Sequence, residues 1–135
     1  MSNSEIILPV LESTNSLIVI NKYRTAFEYI YPLLINISNK HKILKDTCLN
    51  AIIEFHKTLH DASKSNVLSK INTADTNLAY IKELMSILAS DKRKLISRHQ
   101  YEVSTNLLSE TGAIIGHWKK KVKQQQQKEN KGRNM

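Results

Sequence analysis

His56 and His60 stand four residues apart, the interval that puts two imidazoles on one face of a helix where they could share a metal ion. A zinc-hydrolase pattern would place Glu directly after the first histidine. The residue there is Lys57, and no third ligand is spaced to complete the set. Di-iron bundles draw on Glu-x-x-His pairs, because a three-residue step brings carboxylate and imidazole to one face. Here Glu28, Glu83 and Glu102 are followed at that step by Tyr31, Ser86 and Thr105, while Glu54 and His56 are two apart and diverge. These histidines, with the isolated His41, His99 and His117, read as surface or interfacial residues making ordinary hydrogen bonds. Cys48 is the single cysteine and reads as a small buried apolar residue, with no internal disulfide possible. There is no Gly-rich phosphate loop and no nucleophile elbow. The expectation is a binding protein: no enzyme, no metal site and no cofactor.

The chemistry that remains is cationic. The formal net charge is +8, and residues 119–135 hold seven Lys or Arg against one Glu, a balance of +6, leaving +2 for the other 118 residues. Such an end attracts nucleic acid or an acidic protein surface by counterion release, or serves as a solubilising fringe. Only 6% of residues are aromatic and most fall on apolar stripes, so base-stacking platforms are scarce; nucleic-acid binding would be electrostatic and indifferent to sequence. Trp118 reads as a core or subunit-contact anchor. Asp75, beside an apolar seam, reads as a brace to a neighbouring helix.

The elements that must position these charges are helical. A chain of 135 residues with 41% hydrophobic residues, 3 Gly and 2 Pro has one domain's length and few of the breakers that strand-rich folds use at turns. Apolar residues recur at steps of three and four in four runs. The first is Ile20, Tyr23, Phe27, Ile30, Leu34 and Ile37, with a kink expected at Pro32. The second is Leu44, Cys48, Ala51, Phe55, Leu59 and Ala62, and the third is Val67, Ile71, Ala74, Leu78, Ile81, Met85 and Leu88. The fourth is Tyr101, Ser104, Leu108, Thr111, Ile115, Trp118 and Val122, opened by Ser97 and Gln100 at the spacing of a capping box. Gly112 and Gly116 lie inside it and imply close approach of a neighbouring helix.

The predicted architecture is an all-α, up-down-up-down four-helix bundle over 17–122, with an irregular N-terminal arm over 1–16 and a basic flexible tail over 123–135. Leu17, Ile18, Val19, Tyr31, Leu33, Ile53, Leu84, Val103, Leu107 and Ile114 fall outside the main seams, more than one small core holds, so self-association is expected. No apolar run approaches the roughly 18 residues of a membrane span, and no charged leader precedes one, which predicts a cytoplasmic protein.

Four segments carry a resemblance. KYRTAFEYIYPL from Lys22, NKHKILKD from Asn39, KSNVLSKINTADTNLAYIK from Lys64 and HQYEVSTNLLSETGAIIGHW from His99 resemble, in order and spacing, the accessory variability determinant (Avd) proteins of diversity-generating retroelements. That family is related to the four-helix proteins encoded by ribosomal-RNA intervening sequences, whose role is unknown. The shared marks are the Tyr-Pro of the first helix, Lys-Ser-Asn ahead of the third, Ala-Asp within it and Gly-x-x-x-Gly-x-Trp in the fourth. The resemblance implies a homopentameric barrel of bundles with a basic surface, binding the element's reverse transcriptase and nucleic acid, RNA or DNA. It would support mutagenic cDNA synthesis without catalysing it. Lys22, Lys40, Lys45, Lys70 and Lys82 match basic positions of the family, and Lys119, Lys120, Lys121 and Lys123 add charge at the end of the fourth helix. One turn after Lys82, where a second arginine would be expected, this chain has Ser86. An intervening-sequence protein with no polymerase partner remains the alternative.

Overall fold

The computed structural model describes residues 14–133. It contains four α-helices, α1 (Thr14–Ile35), α2 (Lys42–Ser65), α3 (Leu68–Ala89) and α4 (Arg98–Arg133), with a 3-10 turn at Asn39–His41, and no strand among the described residues. Each helix packs on its neighbour in sequence and α1 closes the ring against α4. Short links force antiparallel neighbours, giving the up-down-up-down bundle the periodicity implies. The arm expected over 1–16 lies outside the described residues up to residue 13, and α1 is already helical at Thr14.

The apolar stripes meet in one core. Tyr23, Ile30, Leu34, Ile52, Phe55, Leu59, Ile71, Ile81, Met85, Leu88, Leu108 and Ile115 are its largest fully buried side chains. The fourth stripe is buried from Ser104 to Val122 as read, with Tyr101 at its half-buried start. Val67, assigned to the third stripe, is instead the exposed residue ahead of α3, with extended backbone that a β-branched side chain favours. Of the ten apolar residues expected outside the seams, Val19 and Leu84 are core, because the stripes are wider than one residue per turn. Leu33, Val103, Leu107 and Ile114 are half-buried, and Ile18, Tyr31 and Ile53 stay exposed; the Leu17 side chain lies outside the described residues.

The links are set by local polar bonds. Ser38 Oγ accepts from the Lys40 N–H (3.2 Å), stopping the chain after α1. Asn66 ends α2 in the left-handed region (φ 53°), where Asn is the best tolerated side chain after glycine, and its N–H donates to Ala62 O (2.8 Å). At α4 the capping box forms in full: the Gln100 N–H donates to Ser97 Oγ (3.0 Å) and the Ser97 N–H to Gln100 Oε1 (2.9 Å). α1 runs through Pro32 to Ile35, with the Asn36 N–H bonded to Pro32 O (3.2 Å).

α4 departs most from expectation. Helix continues to Arg133, past Val122, its last core residue, through the segment read as a flexible tail. Lys and Gln are good helix formers, and nothing between Lys123 and Lys131 breaks the ladder. At 36 residues against 22 and 24 for the others, α4 projects beyond the bundle.

Candidate nucleic-acid interface

Most of the candidate lysines lie on α4 or against it, and their surroundings divide them. Lys22 of α1 pairs with Glu110 of α4 (3.3 Å), and Asp75 of α3 with Lys119 (3.7 Å). Asp75 is thus a brace between helices, through an ion pair. Both pairs are substantially exposed, so each contributes at most about 1 kcal/mol. Lys82 is half-buried, with its ammonium poised above Gly112. A Cβ at Gly112 would stand 3.1 Å from Leu78 Cδ2, so this glycine does mark a close approach of α3. Gly116 does not: a Cβ there would meet nothing within 4 Å.

Lys45 is committed to the fold. Its Nζ donates to Ile35 O and Ile37 O (3.0 Å each) and to Asn39 Oδ1 (3.4 Å), so one ammonium satisfies carbonyls left over where α1 ends, at the negative end of its dipole. Sequence reading missed this, although a lysine seven residues after a Ser-Asn stop is within reach of the preceding helix end. Lys40 is exposed beside that turn, and Lys70 is exposed near Thr58, Asp61, Ser69 and Thr73 in a shallow depression between α2 and α3. The structure therefore does not bring all nine lysines together.

It does gather one group. Gly116, His117, Lys119, Lys120 and Lys123 line a shallow open notch on the solvent side of α4, opposite the buried Trp118 and Val122. The missing side chain at Gly116 makes the floor, and cations at steps of three and four make the rim. Lys120, Lys121 and Lys123 are exposed and form no ion pair among the described residues; Lys121 points away from the notch group. Open lysines round a small backbone-floored hollow suit an oxyanion such as a phosphate, by charge and without base readout.

Trp118 anchors the base of this surface. Its ring is in the core, and Nε1–H donates to Asn66 Oδ1 (2.7 Å), joining α4 to the left-handed cap of α2. At the opposite seam Tyr23 is buried with its hydroxyl donating to Ile52 O (2.5 Å), and burial drives its phenol well above the usual range. Cys48 is buried as read, and burial pushes its thiol up to about 11.

His56 corrects the sequence reading. Read as a hydrogen-bonded surface or interfacial residue, it is half-buried and packs through its ring, edge-on to Tyr23 (4.8 Å between ring centres) and Phe27 (4.7 Å), and Phe27 stacks on Tyr31 (5.3 Å). Burial lowers its proton affinity below the ordinary imidazole value, His60 and Arg24 lower it further, and Glu28 opposes them. Among the described residues no three His, Cys, Asp or Glu side chains converge as a metal site would require. No described helix is long and apolar enough to cross a membrane.

Comparison with curated protein sequences finds no match. The bundle itself, residues 17–122, matches the family described as bAvd-like, which covers most of the sequence and every core side chain among the described residues; the chain belongs to that family.

Proposed function

We propose that the chain is a non-enzymatic accessory protein of a diversity-generating retroelement. It acts as a homopentamer that binds the element's reverse transcriptase and, electrostatically and without reading sequence, its template RNA and cDNA. The observation that carries this reading is membership of the bAvd-like family together with the unpaired cations of α4 around Gly116. Lys120 and Lys123 make the phosphate contacts at the notch, with Lys119 shared with Asp75 and Lys121 adding charge from another face of α4. Lys70, Lys40, the half-buried Lys82 and Lys22, which is paired with Glu110, contribute to the surface field, while Lys45 holds the fold. Self-association is supported by Ile18, Tyr31 and Ile53, which the monomer leaves in water.

The test is the molar mass of the purified chain by light scattering, with labelled single-stranded RNA titrated across a salt series and a co-expressed reverse transcriptase as bait. The reading expects a pentamer, retention by the polymerase, and affinity falling linearly on a log-log salt plot, with a slope of about −0.7 per phosphate neutralised. A monomer that neither binds RNA nor is retained by the polymerase contradicts it.

A further inference from the structure

Beyond Val122 the chain leaves the region shared with its family, yet α4 continues. Every residue from Lys123 to Gly132 is exposed, so this segment packs on nothing in the bundle. The packed part of α4 supplies the nucleus, but past Val122 no tertiary contact holds the helix, and in proteins most helical stability comes from packing rather than propensity. The segment has the geometry of a helix and lacks the contacts that would keep one.

Its side chains narrow what could supply those contacts. Residues 123–133 contain no apolar side chain, which excludes laying an apolar face into a protein groove, a membrane surface or a coiled coil with a second copy. They contain no aromatic ring, which excludes base stacking. What they hold is four cations, Lys123, Lys128, Lys131 and Arg133, with four glutamines and Glu129 as the one acidic residue. Gln124, Gln127, Lys128 and Lys131 line a single shallow depression, and the Gly116 notch with Lys120 and Lys123 lies next along the same helix. Lys120, Gln124, Gln127 and Lys131 follow steps of four, three and four, one face opposite Trp118 and Val122. From Gly116 to Lys131 this stripe runs about 23 Å at 1.5 Å per residue, the reach of several successive phosphates.

We infer that residues 123–133 are an arm for the nucleic-acid backbone, which extends the Gly116 notch and is held helical by the phosphates it contacts. The ammonium groups supply charge, the glutamine amides supply neutral donors to phosphate and sugar oxygens, and the family-shared bundle provides the fixed end from which the helix grows. The inference rests on the nucleic-acid binding proposed above.

The test compares the full-length chain with its K123Q/K128Q/K131Q variant, which removes three charges and keeps helix-forming residues. A labelled 30-nucleotide single-stranded RNA is titrated against both across a salt series, with far-ultraviolet circular dichroism before and after RNA. The arm predicts a salt slope shallower by about 2 per subunit engaged in the variant, since each cation accounts for about 0.7. It also predicts a gain of helix on adding RNA to the unaltered chain that the variant lacks. An unaltered chain that binds RNA, with a variant of the same slope, overturns the arm and leaves the broader reading standing. An unaltered chain that does not bind RNA overturns both. Competition by poly-glutamate as effective as that by unlabelled RNA of equal charge overturns the assignment to phosphate backbones.

Discussion

The two parts of α4 are the same helix by backbone and different objects by physics. From Arg98 to Val122 one face is walled by α1 and α3, and every third or fourth side chain is buried. From Lys123 to Gly132 no face is buried. The first part owes its helix to packing and the second to intrinsic propensity alone, so the first can fix the place of a charged surface while the second can only extend it. What distinguishes them in sequence is the loss of the three-four apolar step after Val122, with no change of helix propensity. An apolar pattern therefore marks where a helix is held, and says little about where it stops.

The packed part should break hardest where its helices are pinned. Tyr23→Ala removes a buried ring and its bond to Ile52 O, and should lower unfolding free energy by about 3–5 kcal/mol in urea denaturation. Next comes Gly112→Val, whose methyl groups must enter space already held by Leu78. It should cost about 1–3 kcal/mol by the same measurement, whereas a change no larger than surface scatter would show that α3 and α4 are not in close contact there.

Gly116→Ala sharpens the contrast between the glycines. With open space beyond it, added helix propensity should raise stability by up to about 1 kcal/mol, while a methyl on the notch floor should weaken RNA binding. The smallest effect is electrostatic. His56 binds its proton less readily when folded than when unfolded, so the unfolded chain takes up more protons as pH falls below the ordinary imidazole value. The stabilisation from neutral His56 is therefore complete above about pH 6.5 and declines as acid is added through the folded value. Melting temperatures followed from pH 8 to pH 5 should fall less in His56→Phe than in the unaltered chain; equal falls would remove His56 as a source.

The periodic stripes foretold the bundle because burial at three-four spacing is a property of single helices, readable without knowing the neighbours. The Ser97 capping box was legible for the same reason: its bonds close within four residues. Where partners sit on other elements, residue types alone were ambiguous. Lys45 looks like any surface lysine until the turn at Ser38 brings its ammonium back to the end of α1. His56 looks like any surface or interfacial histidine until α1 places Tyr23 and Phe27 against it. Gly112 and Gly116 are alike in sequence, and only the position of Leu78 separates a packing glycine from one that opens a surface. The cationic group of α4 was visible as a run of Lys; its division into Lys119 paired with Asp75 and Lys120 and Lys123 left open to solvent was not.

The most direct test of the contrast within α4 is residue-resolved amide hydrogen exchange on the full chain, with and without single-stranded RNA. The account predicts that amides around Leu108 and Ile115 are strongly protected in both states, while those of residues 123–133 exchange nearly freely alone and slow markedly with RNA. Strong protection of 123–133 in the free chain, or no change there on adding RNA that binds, would contradict it.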